Sequence, residues 1–202
     1  MLYEAFGNLG IIALILMWLY QGFNLKFIDQ IVDEGKKVHI LVIWLVMPLS
    51  GIVAGFFMCL DSFTGGCVLA LILGMIIANK IDHKLWFVQI ILVLGAYIVF
   101  LNVFIMIDVH LIANFIEVII IFIIVLFGSI LDEILHDMSE NKNVWLLKIF
   151  GGYRAVMKIA VIIMAILFPS SVIWYHVLAW VLFDIMYEIQ ARRETRKKLS
   201  KK

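Results

Sequence analysis

The feature that most restricts the fold of this chain is a series of seven apolar runs separated by short polar gaps. The longer runs hold about 20 residues, which is what a helix needs to cross a hydrocarbon core of about 30 Å. They are continuously apolar rather than alternating, so they favour membrane helices over the strands of a barrel. The runs fall near residues 9–23, 38–58, 63–79, 85–107, 111–131, 155–168 and 171–187.

The cations of the chain lie in every second gap, at the start of the run that follows such a gap, or in the C-terminal segment. All 16 Lys and Arg residues follow this rule, whereas the gaps around Asp61, Asp108 and Pro169 hold none. Because Lys and Arg near membrane helices stay on the cytoplasmic side, the pattern predicts an N-terminus outside and a C-terminus in the cytoplasm. We therefore expect a multi-pass protein of the cell membrane.

The sixth run is the shortest of the seven. Arg154 and Lys158 interrupt its beginning, and the clean stretch over 155–168 would span about 21 Å as a helix. The sequence predicts about seven transmembrane helices in an all-α bundle, with the sixth either starting earlier or re-entering the membrane. Both alternatives leave the C-terminus on the same side.

Composition supports one membrane domain with short additions. Hydrophobic residues make up 65% of the chain, against about 45–50% in soluble domains. We expect a transmembrane domain over 1–190 and a basic cytoplasmic tail over 191–202. A short amphipathic surface helix is predicted over 25–37, where apolar residues recur at helical spacing among charges. The tail is expected to contact anionic lipid headgroups rather than nucleic acid.

Small residues recur at every fourth position of the third run. They allow close approach of another helix, and contact within one protomer is favoured over a dimer seam. The second and third runs are joined by a short connection, so they are expected to pack as an antiparallel pair. The stripe consists of Ser62, Gly66, Ala70, Gly74 and Ala78, and the second run adds Gly51 and Gly55.

The densest group of chemically active side chains follows the fifth run. If the helix continues, Asp132 and His136 lie one turn apart. At this spacing a carboxylate and an imidazole can bind the same metal ion. Further ligands are expected from Asp82 and His83, so a divalent metal site is predicted on the cytoplasmic face. The residues assigned to catalysis beside it are Glu133, Asp137 and Arg154. The alternative is an acidic helix end whose carboxylates pair with nearby cations.

A short fragment at the end of the third run adds to this hypothesis. The stretch Ile72-Leu-Gly-Met-Ile-Ile-Ala-Asn-Lys-Ile-Asp-His83 resembles the Leu-Gly-x-Leu-Leu-Pro-Asp-Ile-Asp-His stretch of a family of membrane-bound metal-dependent hydrolases. The resemblance implies a role for Asp82 and His83 in binding metal. This sequence has Asn79 and Lys80 where the family has a Pro-Asp pair.

A second polar group lies along the predicted fifth helix. His110, Asn114 and Glu117 are spaced to share one face, and Glu117 would lie about 9 Å past the start of the helix. An anion at that depth is costly in lipid, and no cation is available on that side. Together with Asp61, these residues suggest a path for a proton or cation.

Three functional hypotheses therefore remain open. The first is a membrane enzyme with a metal-dependent cytoplasmic-face site for a lipid or isoprenoid-type substrate. The second is a small transporter or proton/cation carrier that uses Glu117. The third is an assembly protein whose polar clusters are structural. Two cysteines, Cys59 and Cys67, are expected to be unpaired thiols, and the oligomeric state is left open.

Overall fold

The computed structural model describes most of the chain. The described residues are 2–32, 35, 37–77, 81, 83–107, 114–141, 155–169 and 172–199. They form seven α-helices and no strand, which agrees with the predicted all-α class. The helices are α1 (Leu2–Val32), α2 (Ile40–Leu60), α3 (Ser62–Ile77), α4 (Lys84–Ile107), α5 (Phe115–Asn141), α6 (Ala155–Leu167) and α7 (Trp174–Leu199).

Length and hydropathy give this bundle the character of a membrane protein. Among the described residues, four segments are long and apolar enough to cross a membrane, and many large apolar side chains on the outside of the bundle are exposed, such as Met106 at 84%. The helices α3 and α6 are apolar but shorter, and α6 extends only about 20 Å. The four long segments are Gly7–Val32, Ile40–Leu60, Lys84–Met106 and Phe115–Asp132.

The helix contacts form a closed circuit of six helices with α4 outside it. The circuit runs from α1 to α2, α3, α5, α6 and α7 and back to α1. Helix α4 packs along α2 and touches α1, whereas it makes little direct contact with α3. The first and last helices of the chain are therefore close neighbours.

Glycines set the closest of these helix contacts. A Cβ at Gly66 would lie 2.7 Å from the Ile121 Cβ, and one at Gly55 would lie 2.6 Å from the Tyr97 backbone nitrogen. The stripe on α3 thus packs against α5 within one protomer. The prediction of close intramolecular packing is confirmed, and α2 and α3 contact each other as expected, while the stripe itself packs most closely on α5.

An aromatic cluster joins α1, α3 and α7 inside the circuit. The Trp18 ring meets Phe63, Trp180 and Phe183 in edge-to-face contacts with centroid separations of 5.2 to 6.1 Å. Such geometry is preferred by aromatic quadrupoles and buries large apolar area. These rings fix the distance between the first and last helices.

The predicted surface helix over 25–37 is not a separate element. Helix α1 continues through this segment to Val32, and Asn24, Ile28 and Gln30 are at most 1% exposed. Gln30 is buried because its amide pairs with Gln190 on α7, with contacts of 3.1 Å in both directions. Among the charges that suggested a membrane surface, Lys26 and Asp29 pair with each other, and both contact Tyr187 of α7.

Helix α5 starts later than its apolar run. Asn114 precedes the helix, and its side-chain oxygen accepts from the Ile116 N–H at 3.0 Å, as an N-cap residue does. Glu117 therefore lies in the first turn, about 3 Å past the start rather than about 9 Å. The predicted stripe of Asn114 and Glu117 on one helix face does not form.

Candidate functional site

A cavity of about 80 Å³ lies between α1, α3 and α4, with α2 and α7 closing its sides. It occurs where α3 and α4 fail to pack against each other. Most of its wall is apolar, with a few polar side chains among them, a composition typical of small-molecule sites. The residues that line the cavity include Trp18, Gln21, Leu71, Trp86, Gln89 and Ile90.

Four buried polar side chains meet beside this cavity. The Gln21 Nε2 donates to the Ser50 carbonyl at 2.9 Å, and the Ser50 hydroxyl donates to Gln21 Oε1 at 2.7 Å. A hydroxyl has one proton, so Ser50 Oγ only accepts from its other neighbours. These are Asn24 Nδ2 at 2.7 Å and Gln89 Nε2 at 2.9 Å. The network therefore fixes which end of each amide faces the serine.

This arrangement leaves polar atoms unused. Gln89 Oε1, Asn24 Oδ1 and Trp18 Nε1 are buried without a hydrogen-bond partner in the part of the chain that the structure describes. Trp18 and Gln89 both line the cavity with other atoms, whereas the two unpaired atoms themselves are covered by protein. Buried polar atoms are nearly always hydrogen-bonded in native proteins, so these atoms are places where water or another polar group would be stabilised.

A second buried group lies where α2 meets α3. Asp61 ends α2 and caps α3, because its Oδ2 accepts from the Thr64 N–H at 2.8 Å and from the Thr64 hydroxyl at 2.7 Å. Its Oδ1 lies 2.9 Å from Nε2 of His176, in the first turn of α7. The group joins three helices and is fully hydrogen-bonded, which gives Asp61 a structural role.

The charge of Asp61 follows from these contacts. Burial raises the pKa of the Asp61 carboxyl, but the neighbouring His176 ring and the Thr64 hydrogen bonds outweigh this and hold the pKa below its ordinary value. The carboxylate also faces the N-terminus of α3, where the helix dipole favours an anion. Asp61 is therefore the ionised member of the group.

The predicted metal ligand Asp132 is used by the backbone of α6. Its two carboxylate oxygens accept from the N–H groups of Val156 and Met157 at 2.9 Å each, and the residue is 3% exposed. These are donors that the first turn of a helix cannot satisfy internally. Asp132 thus caps α6 from the neighbouring helix.

The other predicted metal and catalytic residues are only partly described. His83 is exposed and caps α4, since its Nδ1 accepts from the Leu85 N–H at 3.2 Å. Helix α5 does continue through Asn141, which gives Asp132 and His136 the expected helical spacing. Within the described residues, no three His, Cys, Asp or Glu side chains are grouped to hold a metal. Asp82, Arg154 and the side chains of Glu133, His136 and Asp137 lie outside the described residues.

The residues predicted for transport are described in part. Asp61 pairs with His176, Asn114 is exposed, and Glu117 is half-buried in the first turn of α5. His110 lies outside the described residues. Both cysteines are free and buried, as expected.

Comparisons of the chain with protein-family models, curated proteins and solved structures found no match. Function is therefore inferred from the site itself, and the cavity beside the buried polar network is the feature that could bind a molecule. In the sequence, Trp18 is typical of an interfacial anchor and Gln21 of a helix end, so neither residue indicates this cavity. The residue that could have indicated this site in the sequence is Gln89, which is a polar residue among apolar neighbours in the first half of α4.

Proposed function

We propose that this protein is a multi-pass protein of the cell membrane that binds a lipid- or isoprenoid-type molecule in the cavity between α1, α3 and α4. The segregated cations favour an N-terminus outside and a C-terminus in the cytoplasm. In this orientation the cavity lies in the cytoplasmic half of the bundle, since Gln89 and Ile90 belong to the first half of α4. The basic tail would contact anionic lipid headgroups on the same side.

The observation that carries the proposal is an apolar cavity bounded by two helices that do not pack against each other. Because α3 and α4 share few contacts, the proposed entry for a lipid chain is between these two helices. The half-buried residues Leu71 and Ile90 form part of its wall, next to the outward-facing Ile91. An elongated apolar molecule could therefore place one end in the cavity while its remainder stays in lipid.

The proposed role of this cavity is to bind a molecule, without a chemical reaction at the cavity itself. A reaction on the bound molecule would draw on the acidic and histidine groups that follow the membrane part of α5. Of these, Asp132 already satisfies the first turn of α6. The divalent metal and the catalytic roles of Glu133, Asp137 and Arg154 stay predictions. The carrier hypothesis has less support, because Glu117 lies at a helix end.

Photolabelling tests the proposal directly. The purified protein in lipid nanodiscs would be irradiated with a diazirine-bearing, fifteen-carbon isoprenoid alcohol, and the labelled peptides would be identified by mass spectrometry. We expect labelling on α1, α3 and α4. Ile90→Trp should fill the cavity and reduce labelling several-fold.

The neighbouring Ile91→Trp is the matched control. Ile91 is 54% exposed and does not line the cavity, so this variant adds the same side chain to the outer face of α4. Its labelling should equal that of the unmodified protein. Equal labelling of both variants, or label spread evenly over the exposed helix faces, would remove the proposal.

A further inference from the structure

The wall of the cavity indicates which end of a lipid enters it, and this inference rests on the proposed function. We infer that the cavity binds the hydrocarbon terminus of its ligand, while the polar head stays at the cytoplasmic headgroup layer. The support comes from the hydrogen bonds of the wall, from the placement of charge, and from the size and depth of the cavity.

The polar side chains of the wall are occupied by the protein itself. Gln21 uses both ends of its amide on Ser50, donating to its carbonyl at 2.9 Å and accepting from its hydroxyl at 2.7 Å. Gln89 donates to Ser50 Oγ at 2.9 Å, and its Oε1 is covered by protein, as is Trp18 Nε1. The remaining side chains of the wall are apolar, apart from the indole nitrogen of Trp86. A hydroxyl or phosphate brought into the cavity would lose its hydration and gain few hydrogen bonds.

Charge lies outside the cavity. The described residues that line it are all uncharged, so a phosphate, carboxylate or ammonium head would be buried there without a counter-ion, which is costly. An exposed cation, Lys84, begins α4 instead, and Ile90 of the wall lies about 9 Å further along the helix axis. A head at the level of Lys84 keeps its water and its counter-ion, and a fifteen-carbon chain is long enough to reach the cavity from there.

The size of the cavity fits the end of a chain. An apolar cavity of about 150 Å³ stays dry and holds one benzene molecule. The cavity here has about 80 Å³, which by the same proportion holds roughly half a benzene molecule, or about three carbons. Because α1, α2 and α7 close its other sides, a chain enters from one direction, and the first carbons to arrive are those of an end. The uncharged, apolar end is the one that the wall accommodates.

Two photolabels that differ only in the position of the diazirine test this orientation. Both are fifteen-carbon isoprenoid alcohols, one with the diazirine at the chain terminus and the other with it beside the hydroxyl. In lipid nanodiscs, with labelled residues identified by tandem mass spectrometry, we expect the terminal probe to label Leu71 and Ile90 at least about fivefold more than the head probe does. The head probe should label residues near Lys84 at the start of α4.

Competition between unlabelled compounds identifies the end of the chain that the cavity binds. The alcohol and its methyl ether should displace the terminal photolabel equally, within about twofold, because the head stays outside. The same alcohol with a second hydroxyl on its terminal carbon should compete at least about fivefold less well, because that hydroxyl would be buried with few partners. A methyl group in place of the second hydroxyl is the size-matched control and should restore competition.

Three substitutions test the wall itself. Ile90→Ala enlarges the cavity and should improve competition by an alcohol lengthened at its terminus, relative to the parent alcohol. Ile91→Ala removes the same carbons outside the cavity and should leave the ranking unchanged. Trp86→Phe removes the remaining indole nitrogen of the wall and should weaken the alcohol no more than the corresponding hydrocarbon. Selective loss of the alcohol in Trp86→Phe would place the head in the cavity and overturn the inference.

The outcomes distinguish this inference from the function on which it rests. If the head probe labels the wall as strongly as the terminal probe, and Ile90→Trp removes both labels, the cavity binds the ligand in another orientation and the inference is overturned. If Ile90→Trp and Ile91→Trp are labelled alike by both probes, the proposed function fails first. Preferential labelling by the terminal probe, together with weak competition by the compound with the terminal hydroxyl, supports the inference.

Discussion

His176 donates a hydrogen bond from Nε2 to Asp61 across 2.9 Å while its Nδ1 accepts the N–H of Ile173 at 3.0 Å. A backbone amide always carries its proton, so Nδ1 is the acceptor in this contact and the Nε2 proton is directed at Asp61. The ring therefore joins the Asp61 carboxylate to the start of α7. Nδ1 of the same ring thus accepts from the residue just before α7, as the side chain of the third helical residue does in a capping box.

Removing either contact of His176 should destabilise the protein. His176→Phe keeps the ring volume but leaves Asp61 without one donor, and we expect a loss of about 1–3 kcal/mol in the free energy of unfolding. His176→Gln can still donate to Asp61 and should lose less. Thermal unfolding in detergent, followed by circular dichroism, measures both. Equal stability of the two variants and the unmodified protein would show that the hydrogen bond is not formed.

The stability contributed by Asp61 should depend on pH in a defined direction. Its pKa is lower in the folded protein than in the unfolded chain, so the contribution is complete above about pH 4 and is lost as the pH falls through the folded value. Unfolding midpoints of the unmodified protein and Asp61→Asn would be compared from neutral to acidic pH. The difference between the two unfolding midpoints should be constant near neutral pH and should approach zero at low pH. A gap that widens on acidification would contradict the assigned charge.

Two glycine substitutions should distinguish the destabilisation caused by a steric contact from the stabilisation caused by higher helix propensity. Gly66→Ala forces a methyl group against Ile121 and should cost about 1–3 kcal/mol. Gly95 faces open space on α4, so Gly95→Ala should be neutral or stabilise by up to about 1 kcal/mol. Unfolding of both variants under the same conditions gives the comparison. A destabilised Gly95→Ala protein would reveal a helix packed against this face of α4.

Asp132 offers a test of capping against metal binding. Asp132→Asn retains one acceptor for the two N–H groups of α6 and should lower the free energy of unfolding by about 1–3 kcal/mol. Treatment with a chelator should leave this difference unchanged if capping is the main role. Stoichiometric metal by elemental analysis, lost in the variant, would instead support the predicted metal site.

The helices could be predicted from the sequence because apolar runs of membrane length have few alternatives. The bounds of α2, α4 and α6 lie within a few residues of their runs. The start of α5 was less predictable, since the apolar residues before Asn114 continue the run while Asn114 itself caps the helix. Hydropathy does not distinguish a capping asparagine from one inside a helix.

Partners far apart in the chain account for most of what could not be predicted. Gln21 and Asn24 look like a polar helix end until Ser50 is placed beside them. The stripe on α3 predicts close packing, but spacing along one helix does not say that α5 is the neighbour. Asp132 is an acid near a histidine in sequence, and only the fold shows that the backbone of α6 uses it.

The pairing of α1 with α7 has a consequence for how the protein is made. Gln30 and Gln190 bond to each other, yet 160 residues separate them, so the ribosome completes most of the chain before the second amide exists. A Cβ at Gly22 would lie within 2.2 Å of the Phe183 carbonyl oxygen, so this contact also waits for the last helix. During synthesis, the side of α1 that α7 covers therefore has only the earlier helices, such as α2, as neighbours. A chain that ended before α7 would leave that side of α1 uncovered.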